Sequence, residues 1–97
     1  MLEKPVEERL KTEVEKLGCQ CWKFTSPGRR GVPDRIVICP ERWIEWVEAK
    51  RPGGKPEPLQ RIVHKILGLL GFKVWIIDTY QEVEDFVKYL KTKIEIV

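Results

Sequence analysis

The stretch 33-PDRIVICPERWIEWVEAK-50 limits what this chain can fold into more tightly than any other part of it. Residues 34–39 and 43–50 are rich in Ile, Val and Trp, which strands favour, and Pro40-Glu41-Arg42 between them has the make-up of a turn. If Cys39 opposes Trp43, then Ile38 opposes Ile44, Ile36 opposes Trp46 and Asp34 opposes Glu48. Side chains alternate between faces along a strand, so every pair but the first shares one face. Opposed Cβ atoms in an antiparallel pair stand about 4.5–5.5 Å apart. Two carboxylates at that separation can share one cation. Lys50 follows on the same face as Glu48. Ile36, Ile38, Ile44 and Trp46 mark this face as the buried one, where an unpaired carboxylate is costly. The opposite face carries Val37, Cys39, Trp43 and Val47.

Paired carboxylates beside a lysine suit phosphodiester hydrolysis. That reaction needs a nucleophilic water, charge stabilisation on the phosphate and help for the leaving oxygen, and a divalent ion can supply all three. Mg²⁺ prefers hard oxygen ligands and keeps several waters. Asp34, Glu48 and the backbone carbonyl of Ala49 form a minimal ligand set, with Mn²⁺ able to substitute. Lys50 would orient or activate the water, or stabilise charge on the phosphate. Glu-x-Lys alone is a common surface pair, and only the company it keeps here raises its meaning.

The charge distribution agrees. Between Lys23 and Lys65 there are ten Lys/Arg against five Asp/Glu, whereas the rest of the chain has eight against ten. The middle of the chain is an anion-seeking surface around an acidic point. Arg29, Arg30, Arg35, Arg51 and Lys55 flank Asp34 and Lys50 and are candidate phosphate contacts. Gly28 and Gly31 would let their loop approach a nucleic acid closely.

With 97 residues the expectation is one domain, 1–97, and 42% hydrophobic residues suffice for a core. No apolar run is long enough to span a membrane, and MLEKPVEERL lacks the apolar stretch of a signal peptide, so a cytoplasmic location is expected. Cys19, Cys21 and Cys39 are an odd number with no second metal-ligand pair, which makes buried thiols the expectation.

A helix is predicted over 5–17, with Val6, Leu10, Val14 and Leu17 as its apolar stripe, Glu7 bordering that stripe and Gly18 as its stop. A strand over 19–25, the loop 26–31 and the hairpin follow. Residues 51–58 read as a mobile basic loop, and a helix runs from about Pro58 to Leu70 with Leu59, Ile62, Val63, Ile66 and Leu70 on its apolar face. Gln60 lies at the edge of that face, and His64 reads as a surface residue. A strand over 72–77 precedes a helix over about 80–91, capped by Asp78 or Thr79, with Val83, Phe86, Val87 and Leu90 inward. The tail 92–97 is expected to be an edge strand or loose. Trp22, Trp43, Trp46 and Trp75 are expected in the core or at a dimer interface. The order α-β-β-β-α-β-α makes an α/β layer structure with a mixed sheet.

The motifs Ser26-Pro-Gly-Arg-Arg-Gly-Val-Pro-Asp34, Glu48-Ala-Lys50 and Pro58-Leu-Gln60 together resemble the virus-type replication–repair nuclease (VRR-NUC) family of the PD-(D/E)XK superfamily. The resemblance extends from Glu3 to about Leu90. It implies a restriction-endonuclease-like core and a metal-dependent nuclease with Asp34 and Glu48 as ligands and Lys50 as the catalytic lysine. It adds Glu7 and Gln60 to the site, the latter positioning Lys50 or the attacking water. It also implies a homodimer acting on branched DNA, four-way junctions included. Rival expectations are a nuclease that cuts plain duplex or flap DNA on the same site, and a non-catalytic DNA-binding module.

Overall fold

The computed structural model describes residues 3–51 and 53–96. Helix α1 (Glu3–Lys16) leads into β1 (Gln20–Lys23), the hairpin β2 (Arg35–Cys39) and β3 (Trp43–Ala49), helix α2 (Pro58–Leu69), strand β4 (Val74–Ile77) and helix α3 (Tyr80–Ile96). The sheet order is β1-β2-β3-β4. β1–β2 and β2–β3 are antiparallel and β3–β4 is parallel, so the sheet is mixed and α2 is its crossover.

The hairpin register is the expected one. Cys39 opposes Trp43, Ile38 opposes Ile44 and Ile36 opposes Trp46. The three-residue connection has Glu41 at φ 65° and Arg42 at φ 62°, both left-handed, as a tight antiparallel turn demands.

The deepest core lies on the face opposite to the expected one. Val37, Cys39 and Val47 are buried there, packed with Val6, Leu10 and Val14 of α1 and Val83, Phe86 and Leu90 of α3. Ile36, Ile38, Ile44 and Trp46 are only half-buried. Two helices cover the first face, whereas α2 alone lies over the second and buries only Val63 fully. Leu67 is half-buried, and the rest of the helix's large apolar side chains are exposed: Ile62 by 56% and Leu69 by 80%, with Leu59 and Ile66, and Leu70 just past the helix. Phe72, Ile76 and Trp22 are exposed as well.

Residues 92–96 extend α3 and form no edge strand, and Val97 lies outside the described residues. Ile94 follows Leu90 by four residues and packs against the core, so the helical stripe runs on. Thr79 caps this helix, its Oγ1 accepting from the Glu82 N–H at 3.1 Å. The three cysteines are free and buried, and burial pushes the Cys21 thiol up to about 11.

On the core face, Glu45 of β3 is a buried carboxylate with a full set of donors. It accepts from Trp43 Nε1 at 2.6 Å, Trp75 Nε1 at 3.0 Å and the Tyr89 hydroxyl at 2.9 Å, and Lys93 stands 3.7 Å away. This network ties β3 and β4 to α3. Glu45→Ala leaves three donors without their acceptor, so unfolding stability is expected to fall by roughly 2–4 kcal/mol. Urea denaturation measures this; a loss under about 0.5 kcal/mol, the usual scale of neutral surface changes, would show the network to be energetically idle.

Candidate active site

The candidate residues converge where the end of β3 meets the first turns of α2. Glu48 is completely buried. Asp34, a neighbour that bears on its titration, immediately precedes β2, and one further step of the Arg35–Val47 register would set it opposite Glu48. The Asp34 carbonyl accepts from the Phe24 N–H at 2.8 Å, so the β1–β2 ladder holds its backbone in place. Lys50 lies past the end of β3, yet its N–H donates to the Ile77 carbonyl at 2.9 Å and keeps it in line with β4.

Gln60 joins these groups. Its Nε2 donates to Glu48 Oε2 at 3.0 Å, and its Oε1 accepts from Lys50 Nζ at 3.0 Å. The same Oε1 accepts from the Glu57 N–H at 2.8 Å, one half of a capping box that starts α2, with Pro58 in the first turn. Lys50 Nζ stands 3.7 Å from Glu48 Oε2. His64, one turn further along α2, places Nε2 3.4 Å from Glu48 Oε1. Its side chain is 13% exposed, which corrects the expectation of a surface residue. Its spacing of four from Gln60 was the signal, since residues four apart share a helix face.

Burial pushes the Glu48 carboxyl up to about 9, and the neighbouring Asp34 adds to the rise while Lys50 opposes it. Burial likewise lowers His64 below its ordinary value, helped by the charge of Lys50. Two carboxyl groups are neighbours with one ammonium at hand, and a divalent cation would favour the ionised form of both. Among the described residues no three His, Cys, Asp or Glu side chains converge as a ligand set. The donors are two carboxylates and the Ala49 backbone, which fits a hard ion that keeps waters in its remaining positions.

Glu7 reaches the site from α1. Its Oε1 accepts from Arg35 Nε at 3.1 Å, and with Lys23, Phe24, Thr25 and Asp34 it lines a cleft of about 260 Å³. Arg35 is 12% exposed at its side chain and held by this pair, so the structure does not present it outward with the other basic residues. Arg29, Arg30, Arg51 and Lys55 are exposed. Arg29 and Arg30 line a groove of about 440 Å³ that leads past Leu59 to Gln60. Gly31 has a reason other than approach to a ligand. It sits at φ 85°, and a Cβ there would come within 2.8 Å of the Leu59 carbonyl, so the arginine loop packs directly on α2. The loop after Lys50 is tied as well: Gly53 N–H donates to Asp78 Oδ2 at 3.1 Å and Gly54 N–H to the Arg51 carbonyl at 2.8 Å, while Pro52 lies outside the described residues.

No family model matches the chain. It is 48% identical over 77 residues to a protein named "Putative nuclease p44" from Acyrthosiphon pisum secondary endosymbiont phage 1, a match covering 79% of this chain and 83% of that one. A solved structure described as a VRR_NUC domain superposes with a TM-score of 0.83 at 31% identity, covering 89% of this chain and 94% of the other.

Proposed function

The chain belongs to the VRR-NUC family of nucleases, and from that premise we propose that it is a Mg²⁺-dependent endonuclease that acts as a homodimer on branched DNA, four-way junctions above all. The observation that supports a catalytic site here most directly is Gln60, whose one amide group bridges Lys50 and the buried Glu48 carboxyl group. A structural salt bridge needs no such alignment. A site that must hold a lysine and a carboxylate in fixed relation does.

Asp34, Glu48 and the Ala49 carbonyl would hold the ion, with Mn²⁺ able to replace Mg²⁺. When bound, the ion supplies Lewis-acid stabilisation of the phosphate and lowers the pKa of a coordinated water. Lys50, steadied by Gln60, orients that water or offsets charge on the phosphate. Glu7, held by Arg35, borders the cleft beside Asp34 and orders the polar groups there. Arg29, Arg30, Arg51 and Lys55 contact the DNA backbone on either side of the site, and Arg35 serves through Glu7.

Resolving a four-way junction takes two cuts, and one copy of this chain offers one site. A two-fold dimer supplies the second in matching symmetry. Ile62, Ile66, Leu69, Leu70 and Phe72 leave an apolar surface exposed on and beside α2, a natural candidate for the seam between protomers. Among the described residues no helix is long and apolar enough to cross a membrane.

Cleavage of a labelled four-way junction and of its linear arms, across a Mg²⁺ titration, tests the proposal. Cutting is expected to require the ion, to persist with Mn²⁺, to favour the junction and to weaken steeply with salt. Equal cutting of both substrates would defeat the junction preference. Ile62→Glu with Leu69→Glu alters exposed side chains only, so folding should survive while the dimer dissociates. Light scattering is expected to show the mass halved and paired cutting lost; an unchanged mass would place the interface elsewhere, and a monomeric wild type would remove it.

A further inference from the structure

Two side chains of α2 approach different oxygens of the Glu48 carboxyl group, beside the Lys50 and Asp34 neighbours already described. Oε2 receives the Gln60 amide at 3.0 Å, and Oε1 faces His64 Nε2 at 3.4 Å. Among the described residues His64 is the ring contact at Oε1, and it donates there when Nε2 carries the proton. Both partners come from one face of α2, four residues apart, and the carboxylate they hold is completely buried. A carboxylate has about four acceptor positions, so two donors still leave lone pairs for a cation shared with Asp34.

We propose that His64 is a positioning residue of the metal site: its Nε2–H donates to Glu48 Oε1 and locks the carboxylate in the orientation that binds the ion. This deepens the nuclease reading and rests on it. His64 is thus one of two donors that keep the ligand from rotating, Gln60 being the other. Donors behind a ligating group are worth about 10–100-fold in metal affinity.

The test is Mn²⁺ binding to the protein without DNA, followed by electron paramagnetic resonance and calorimetry, for wild type, His64→Ala, His64→Leu and His64→Gln. Leucine fills the space without a donor; the glutamine amide restores a donor near the place of Nε2. The Ala and Leu variants are expected to bind Mn²⁺ about 10–100-fold more weakly. The Gln variant should recover most of the loss, and circular dichroism should show all four folded. Wild-type spin-echo spectra should lack the coupling of a directly bound imidazole nitrogen. Unchanged affinity in the Ala and Leu variants, a Gln variant as weak as Leu, or strong nitrogen coupling would each overturn the assignment. If the wild type binds Mn²⁺ and cleaves DNA while the His64 variants match it, only this proposal falls. A wild type that does neither takes the nuclease site down with it.

Discussion

Asp34→Asn is expected to abolish cleavage with the fold intact. The change is nearly isosteric, and the backbone bond from Phe24 to the Asp34 carbonyl does not involve the side chain. What goes is one of two carboxylate ligands. Lewis-acid stabilisation is worth several kcal/mol and about 1.4 kcal/mol is tenfold in rate, so the loss should reach roughly 10³-fold or more. The variant should also change how the metal-free protein responds to pH. Glu48 lies at about 9 in the fold against an ordinary 4.5, so the folded state holds the proton more tightly than the unfolded chain does. That stabilisation is complete below about 4.5 and is lost as pH rises toward 9. Metal-free melting temperature should therefore fall across this window. Removing Asp34's share of the shift flattens the fall, although burial, the larger cause, remains. At neutral pH, metal binding must displace the Glu48 proton, which calorimetry in buffers of different ionisation enthalpy would detect. Full cleavage by Asp34→Asn in Mg²⁺ would sink the assignment of the metal site.

Lys50→Ala is expected to remove turnover and to spare most binding. A positioned proton-transfer group or charge stabiliser contributes about 10²–10⁴-fold. DNA affinity draws on Arg29, Arg30, Arg51 and Lys55 as well, so one missing ammonium should change it only slightly. Metal affinity should stay largely intact, because the Glu48 proton is held more tightly without Lys50 while the ammonium's repulsion of the incoming cation is lost as well. Lys50→Arg should not rescue turnover, since a guanidinium fork does not replace a point charge held by a single amide oxygen. Single-turnover cleavage and filter binding on one junction separate the two effects. Collapsed affinity with intact single-turnover cleavage would make Lys50 a binding residue only.

The site's frame was readable in the sequence because a hairpin has few degrees of freedom. A strand repeats every two residues, and the three-residue turn admits one pairing of Cys39 with Trp43, from which the position of Asp34 relative to Glu48 follows. Which face holds the core was not readable. Both faces of the hairpin are rich in apolar residues, so the pattern carries no contrast, and the choice is made by α1 and α3 settling together on Val37 and Val47. Glu45 was missed for a related reason: a lone acid in a strand looks solvated until Trp43, Trp75 and Tyr89 are seen around it. Its contrast with Glu48 is instructive. Glu45 is satisfied by three side-chain donors, whereas burial and the neighbouring Asp34 raise Glu48, so two buried acids of one strand meet opposite surroundings. The tail was misjudged because Ile94 and Ile96 alternate with polar residues as in a strand, while the four-residue step from Leu90 to Ile94 decides for a helix.

Gln60 closes the start of α2 with the same oxygen that steadies Lys50. Helix formation and the placement of Lys50 beside Glu48 therefore depend on a single side chain. A descendant that abandoned catalysis could let Asp34 or Lys50 drift at little expense to folding, but replacing Gln60 would loosen the helix as well. Glutamine at this place should thus outlive activity in decaying lineages. When sequences of this kind are sorted into working nucleases and retired ones, the lysine is the informative position and the glutamine is a poor witness.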